Sequence, residues 1–245
     1  MANTSERILK LWGRIWPPLE TWIVPPLCVH CGKQRWKSLP LCRKCIREMR
    51  HYREAEDDAF IEIGWVVSLF RLSPPLRSLI HGFKYRRMIR HIRYLCAHLQ
   101  RSPGLLLALS QVDCIIPVPL HASRRRERGY NQAELIAMEI SRRTGKPLEK
   151  KVLQRIRSTS TQTKLNEMDR VRNLSGAFRC VPGPSLSGKR ILLVDDVFTT
   201  GSTLKLCREE LMKSGAVQVE GFVLARVERM SPAQKPESTG SLADF

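Results

Sequence analysis

The amino-acid sequence predicts an α/β fold built on a parallel sheet, with a small cysteine-rich module in front of it. An apolar run at 191–194 is typical of a strand buried on both faces, and a helical pattern follows it. A second predicted strand, at 112–118, also leads into a helix, and strands that alternate with helices favour parallel pairing. Two Cys-x2-Cys sequences near the start of the chain indicate the separate module.

The cysteine-rich module is predicted to hold a metal ion. Cys28 with Cys31, and Cys42 with Cys45, form two knuckles separated by ten residues. Tetrahedral Zn²⁺ takes four soft ligands, and four thiolates leave no open position, so the metal would be structural. His30 lies inside the first knuckle and competes as a ligand, but we interpret it as a bystander because the thiolates complete the shell. Four unrelated thiols, or a redox pair, are the alternatives.

The expected cellular compartment determines how the remaining four cysteines are interpreted. The sequence has no apolar run long enough to cross a membrane and no signal-peptide pattern, so we expect no integral membrane span and a cytoplasmic location. Thiols stay reduced there. Four cysteines without paired spacing lie in apolar stretches and are expected in the core: Cys96, Cys114, Cys180 and Cys207.

The charge of the chain is strongly positive. Among 245 residues, 42 Lys and Arg stand against 23 Asp and Glu, which gives a formal net charge of +19. That balance favours a polyanionic partner. A solvated basic surface is the alternative interpretation. The hydrophobic fraction of 42% is enough for a sizeable core.

The chain divides into four predicted parts. Residues 1–27 are rich in Trp and Pro, and we expect them to pack against the rest of the protein, with a membrane-surface helix as the alternative. Residues 28–52 form the cysteine module, and residues 60–228 form the α/β domain. Residues 229–245 lack periodicity and are expected to be disordered.

The first predicted elements of the α/β domain follow a charged linker at 53–58. Residues 61–70 alternate and are rich in Val and Ile, which is typical of a strand. Residues 76–99 have a helical period. That helix has a dense basic face, formed by Lys84, Arg86, Arg87, Arg90 and Arg93.

The later elements carry clear boundary signals. Asn131 is expected to cap a helix, Glu134 to complete a capping box, and Gly145 to end the helix. The remaining predicted elements are strands at 152–156 and 176–181, the strand from 191 with the helix after it, and a strand at 217–227.

The strand at 191–194 ends in a candidate ligand site. Asp195 and Asp196 follow it directly, and a turn rich in hydroxyl groups comes next. Gly201 lets the backbone turn tightly and approach a ligand. The hydroxyls and the free N–H groups of the following helix form an anion site. A sugar phosphate offers the matching combination of a phosphate and two hydroxyls.

A second candidate site lies in the loop at 119–132, which leaves one strand and enters a helix. Ligands bind at such strand ends in open α/β sheets. Four arginines there form a predicted anion clamp, with a solvated charge run as the alternative: Arg124, Arg125, Arg126 and Arg128.

Residues 191–203 resemble the PRPP loop of the type I phosphoribosyltransferases at every position. The resemblance implies a parallel-sheet type I phosphoribosyltransferase fold behind a small N-terminal four-cysteine zinc module. It assigns the catalytic pair Asp195 and Asp196 to the ribose 2′ and 3′ hydroxyls, with Mg²⁺ accompanying PRPP. It assigns Arg124 and Arg128 to the pyrophosphate. The remaining PRPP-binding positions are Val197, Thr199, Thr200, Gly201, Ser202 and Thr203.

A second resemblance covers most of residues 28–227. The cysteine knuckles, the stretch at 80–85, the run at 117–137 and the polar stretch from 161 to 178 resemble the ComF family of competence-associated proteins. Tyr130 replaces the commoner Phe. The resemblance leaves Asn131 and Gln132 as phosphate-site or structural residues. It places three residues in a flexible loop over the site: Gln162, Thr163 and Arg170.

The ComF resemblance implies a function in natural transformation. ComF proteins are associated with the handling of single-stranded DNA, so the expected partners are PRPP, single-stranded DNA, and a competence helicase or recombination mediator. An active phosphoribosyltransferase, that is, a glycosyltransferase for a nucleobase or other small acceptor, is the alternative, and a PRPP sensor is a third. Residues 60–95 are expected to form the acceptor hood, with His81, Lys84 and Tyr85 in it.

Overall fold

A computed structural model describes residues 26–35, 39–49, 66–85, 88–99, 103–157, 176–181 and 185–227. Most of the Trp-rich segment, the linker at 53–58 and the tail at 229–245 lie outside the described residues, as do Arg86, Arg87, Gln162, Thr163 and Arg170. The described helices are α1 (Arg43–Glu48), α2 (Pro74–Tyr85), α3 (Arg90–Cys96), α4 (Pro103–Gln111), α5 (Ala122–Arg128), α6 (Gln132–Thr144) and α7 (Ser202–Lys213). The described strands are β1 (Val66–Arg71), β2 (Cys114–Pro117), β3 (Leu153–Arg155), β4 (Phe178–Cys180), β5 (Arg190–Phe198) and β6 (Gln218–Arg226).

Four of the strands form a parallel sheet in the order β1-β6-β5-β2. The central strands are the predicted apolar runs, and residues 191–194 of β5 are at most 1% exposed. All four strands therefore end at the same edge of the sheet. The parallel sheet that the sequence predicts is confirmed.

The strands predicted at 152–156 and 176–181 exist, but they lie outside that sheet. Leu153 pairs with Cys180 and Arg155 with Phe178, which gives a separate antiparallel ribbon of β3 and β4. Each strand is only three residues long, and the ribbon packs against α7 through Phe178.

Apolar side chains cover both faces of the sheet. On one face α2, α3, α4 and α6 enclose Phe70, Phe83, Ile136 and Phe222. On the other face α7 and the β3–β4 ribbon enclose a second cluster around Leu193. This double burial explains why the strands of the sheet are almost continuously apolar. No helix among the described residues is long and apolar enough to cross a bilayer.

The single helix predicted at 76–99 is two helices, α2 and α3. Hydrogen bonds from Met88 N–H to Gly82 O and from His91 N–H to Met88 O connect the start of α3 to α2. A Cβ on Gly82 would lie 3.1 Å from His91 Nδ1, so the missing side chain lets α3 lie close to α2. Both helices keep an apolar period, and for that reason the pattern alone did not indicate the break.

We expect Gly221→Ala to destabilise the sheet. Gly221 of β6 lies opposite Val66 of β1, and a Cβ there would stand 2.9 Å from Val66 Cγ2. Relieving that contact requires shifts in a closely packed core, so the free energy of unfolding should fall by about 1–3 kcal/mol. Urea denaturation measures the change. Val217→Ala, at a position that is 59% exposed, is the control, and equal midpoints for both variants would contradict this packing.

Candidate functional site

The strand predicted to end before Asp195 continues through both acids to Phe198, so Asp195 and Asp196 are part of β5. Their side chains lie on opposite faces of the sheet, because side chains alternate along a strand. Asp196 faces α2, where Lys84 Nζ lies 2.7 Å from Asp196 Oδ2. The side chain of Lys84 is 23% exposed and that of Asp196 is 14% exposed. This ion pair is therefore largely shielded from water, and it joins the end of α2 to the site.

Asp195 faces the other side, towards α7 and the β3–β4 ribbon. Burial, together with the negative charge of Asp196, raises the pKa of Asp195 to about 7. The backbone N–H of Asp196 donates to Asp195 Oδ1 at 2.8 Å, and the cations Lys84 and Arg155 also oppose the rise. Asp195 is consequently a carboxyl group that gains and loses a proton near neutral pH.

A tight turn follows the acids and starts α7. Gly201 has a φ of 78°, in the left-handed region that glycine adopts without strain. Thr200 Oγ1 and Ser202 Oγ lie 2.9 Å apart, and Lys205 N–H donates to Gly201 O at 2.9 Å to close the first helical turn. The first N–H groups of α7 come directly after this turn, and the N-terminus of a helix favours an anion.

Three other residues of the predicted PRPP loop differ in exposure. Thr199 is exposed and Thr203 is half-buried, so both hydroxyls lie near the surface of the turn. Val197 is partly buried and packs against the apolar cluster that contains Phe222. The side chain of Val197 is consequently a packing residue, and only its backbone belongs to the edge of the site.

The arginine-rich stretch contains the short helix α5, where the sequence pattern predicted a loop. His121 caps it, accepting from Ser123 N–H at 3.3 Å, and Gly129 ends it with a φ of 82°. The helix separates its arginines. Arg124 lies close enough to Arg155 for their charges to interact, which places it on the Asp195 side of the site.

Arg128 points towards α2 instead. Its guanidinium lies 5.2 Å from the centre of the Tyr85 ring, and Nη1 donates to Gln132 Oε1 at 3.4 Å. The two arginines that the resemblance assigns to pyrophosphate are thus directed to different neighbours.

Asn131 joins the end of β2 to the start of α6. Its Oδ1 accepts from Ala133 N–H at 3.1 Å, which confirms the predicted cap, and its Nδ2 donates to Val118 O at 2.9 Å. The predicted capping box is wrong in its second half, because Glu134 pairs with Arg125 and Lys150, each at 3.3 Å. Two cations attract the carboxylate more strongly than one backbone N–H does.

Lys84 and Arg155 are site residues whose roles the sequence did not reveal. Lys84 was assigned to an acceptor hood and a basic face, yet its ammonium group contacts Asp196. Arg155 belongs to a three-residue strand without any motif, and burial lowers its pKa while Asp195 opposes that shift. His81 and Tyr85 are exposed, with ring centroids 4.7 Å apart. The position of Lys84 beside the apolar Phe83, at the end of an amphipathic helix, was the one available signal.

The four module cysteines converge on one point. Their sulfur atoms all lie within 4.8 Å of one another, and Cys31 Sγ and Cys42 Sγ are 3.6 Å apart. Tetrahedral zinc with bonds of about 2.3 Å separates its sulfur ligands by about 3.8 Å, so the cluster fits a structural Zn²⁺. His30 Nδ1 lies 2.9 Å from Ser78 Oγ on α2, and one of the ring nitrogens of His30 lies within 4.8 Å of Cys45 Sγ and of a Glu48 carboxylate oxygen.

The environment of Cys28 favours its thiolate. Burial opposes ionisation, but backbone N–H groups of Cys31, Cys42 and His30 direct positive charge at the sulfur and lower the pKa of Cys28 to about 6. Burial raises the pKa of Cys45. A thiolate is the form that binds a metal, so the backbone N–H groups of the knuckles stabilise the metal-binding form of Cys28.

The cysteine module shares its core with the sheet. Cys28, Leu41, Cys45 and Met49 belong to the same buried cluster as Phe70. Three of the other four cysteines, Cys96, Cys114 and Cys207, are buried as predicted, and Cys180 is half-buried.

The parallel sheet and the turn between β5 and α7 define a protein with a type I phosphoribosyltransferase fold. Residues 118–240 match the family described as phosphoribosyl transferase domain. Competence protein F of Haemophilus influenzae is 34% identical over 216 residues, which cover 82% of this chain and 90% of that protein. DNA utilization protein YhgH of Escherichia coli is 31% identical over 208 residues, covering 82% and 84%. Competence protein ComFC of Bacillus subtilis is 35% identical over 114 residues, covering 46% and 44%. The chain belongs to the ComF family of competence protein F and YhgH.

We expect loss of one zinc ligand to destabilise the whole sheet domain, because the module shares its core. Cys45→Ser should reduce the metal content from about one zinc per chain to near zero. It should also lower the melting temperature by at least about 10 °C. Mass spectrometry of the metal and thermal denaturation measure the two effects. Cys180→Ser is the matched control, and equal zinc content in both variants would contradict the assigned cluster.

Proposed function

We propose that this protein handles single-stranded DNA during DNA uptake and binds PRPP with Mg²⁺ at the corner formed by β5 and α7. One observation supports PRPP binding: Asp195 and Asp196 lie in the last part of β5, and only residues 199–201 separate that strand from the N-terminus of α7. Carboxylates accept hydrogen bonds from hydroxyls, and a helix N-terminus holds phosphate. A phosphorylated ribose presents both kinds of group, hydroxyls and a phosphate.

Each part of the corner has a role in this proposal. Asp195 and Asp196 accept the ribose 2′ and 3′ hydroxyls, and the turn at 199–203 donates its N–H and hydroxyl groups to the 5′-phosphate. Lys84 Nζ pairs with Asp196 Oδ2, which holds that carboxylate in place. Asp196 Oδ1 is then left to accept a hydrogen bond from the ligand. Arg124 and Arg155 lie on the Asp195 side and supply positive charge for the pyrophosphate.

Magnesium fits the donor set of this corner. Carboxylate oxygens are ligands that Mg²⁺ takes up together with substrate phosphates, and Asp195 and Asp196 supply them here. When bound, the ion would neutralise the charge of the pyrophosphate oxygens. The protein then has only to orient the ribose.

The DNA half of the proposal is supported by charge and by relatives. Curated relatives carry the names competence protein F and DNA utilization protein, and the net charge of +19 suits a polyanion. Lysine and arginine side chains that neutralise phosphates release counterions, which makes binding steeply dependent on salt. Exposed basic side chains occur on several described elements, including Arg47, Arg77, Arg126, Lys151, Arg157 and Arg179.

An active phosphoribosyltransferase is the second candidate, and the state of Asp195 favours it. A carboxyl group with a pKa of about 7 beside the ribose site can take up or release a proton during a reaction at neutral pH.

Calorimetry of PRPP with Mg²⁺ tests the ligand assignment. We expect the double variant Asp195→Asn, Asp196→Asn to bind PRPP at least about tenfold more weakly than the unmodified chain, because each carboxylate is a hydrogen-bond acceptor for the ribose. Glu209→Gln, on the exposed side of α7, is the control and should retain full affinity. Equal affinity in the double variant and the control would show that PRPP does not bind here.

A turnover screen with the same preparations separates the two candidates. For the DNA-handling protein we expect no release of pyrophosphate from PRPP with any nucleobase, and binding of an oligothymidylate that weakens steeply with salt. Turnover with one base, together with negligible DNA binding at physiological salt, would establish the transferase instead.

A further inference from the structure

An open groove of about 620 Å³ lies between α3 and α6, on the face of the molecule that α2 also covers. It is separate from the β5 corner: neither acid, nor any residue of the turn at 199–203, belongs to its lining. The groove is lined by Ile89, Arg90, Ile92, Arg93, Leu135, Met138, Glu139, Ser141, Arg142, Leu148 and Lys150.

The floor and inner walls of the groove are apolar. Leu135 and Met138 lie one turn apart on α6 and both line the groove; Leu135 also packs against the core, while Met138 is exposed. Ile89 precedes α3 on the opposite wall, and Leu148 lies beside the edge of β2. Ile89 is 42% exposed and Met138 is 41% exposed, so this apolar surface faces water in the described structure. Apolar surface collected in a concave site indicates an interaction surface.

The rim of the groove is positively charged. Arg90 and Arg93 are exposed and form no ion pair with another described residue. The single acid in the lining, Glu139, is buried and already neutralised by Arg142 at 2.8 Å and Arg143 at 2.9 Å. An excess of cations therefore surrounds an apolar floor.

We propose that this groove binds an acidic amphipathic segment of a protein partner. Apolar side chains three or four residues apart in such a segment would enter between α3 and α6, as an amphipathic helix does in a hydrophobic groove. The acidic side chains of the segment would pair with Arg90 and Arg93 at the rim. The partner is defined by this chemistry and not by the PRPP site, so the inference goes beyond the proposed function.

Two other occupants fit the groove less well. A second copy of the chain, related by a twofold axis through this face, would bring the two arginine rims together, and like charges in an interface are costly. Unpaired nucleic acid bases stack on aromatic side chains, and the lining residues include none. The apolar floor is what distinguishes a peptide groove from a phosphate-binding surface.

A random-peptide phage library selected on the full chain is the first test. We expect the enriched peptides to be net acidic and to carry at least two large apolar residues three or four positions apart. A synthetic copy of the most enriched peptide, labelled for fluorescence anisotropy, then gives affinities. Met138→Glu and Arg93→Glu should each weaken its binding at least about tenfold.

Matched controls lie elsewhere on the surface. Leu107→Glu places the same charge on an apolar side chain of α4 that is 57% exposed, and Arg179→Glu reverses an exposed arginine on β4. Both should leave peptide affinity unchanged, and all four variants should retain PRPP affinity, which separates this test from that of the β5 corner.

Three outcomes would overturn the proposal. One is enrichment of basic or uncharged peptides. The second is unchanged peptide affinity in both groove variants. The third is displacement of the peptide by an oligothymidylate whose own affinity falls about tenfold in the same variants, because the groove would then be part of a nucleic acid surface.

Discussion

The architecture of this protein depends on placing two adjacent carboxylates at the end of a buried strand. Asp195 and Asp196 repel one another and lose hydration at the sheet edge, and the cost is visible in the raised pKa of Asp195. The structure offsets that cost from both faces. Lys84 on α2 pairs with Asp196, and the charge of Arg155 on β3 acts on Asp195. Helix α2 and the β3–β4 ribbon are thus needed to hold the acids as well as to cover the sheet.

The four-cysteine module packs against the same arrangement from outside. Its buried residues share a cluster with α2, and His30 contacts Ser78 on that helix. Helix α2, which carries Lys84, therefore packs against the four-cysteine module on one side and against the sheet on the other. Tyr130 donates a hydrogen bond to Phe83 O, which adds a third attachment next to Lys84. A local module of four cysteines consequently supports the position of a side chain in the ligand corner.

The features that the sequence predicted are those that neighbouring residues determine. The apolar run of β5, the left-handed Gly201 turn, the Asn131 cap and the four converging cysteines each depend on residues close together in the chain. These features arise from hydrophobic periodicity, backbone conformation and the spacing of metal ligands, all of which are properties of short stretches of sequence. The ComF resemblance added the family, which the comparisons confirm.

The features that it did not predict depend on contacts between distant segments. The Lys84–Asp196 pair joins residues far apart in the chain, and no pattern near Lys84 identifies its partner. The close contact of α2 and α3 depends on the fit of His91 against Gly82, which the hydrophobic periodicity of the sequence does not encode. Arg155 becomes a site residue only because β3 forms its ribbon with β4 beside α7.

Proton release during PRPP binding tests the central claim most directly. If the corner holds the ribose on two ionised carboxylates, Mg²⁺ and the ligand must displace the proton of Asp195, whose free pKa is about 7. Calorimetry at about pH 6.5, in buffers of different ionisation enthalpy, counts that proton. The account predicts a fraction of a proton released per PRPP by the unmodified chain and correspondingly less by Asp195→Asn. The same proton count in both proteins, or no heat of binding at saturating PRPP and Mg²⁺, would contradict it.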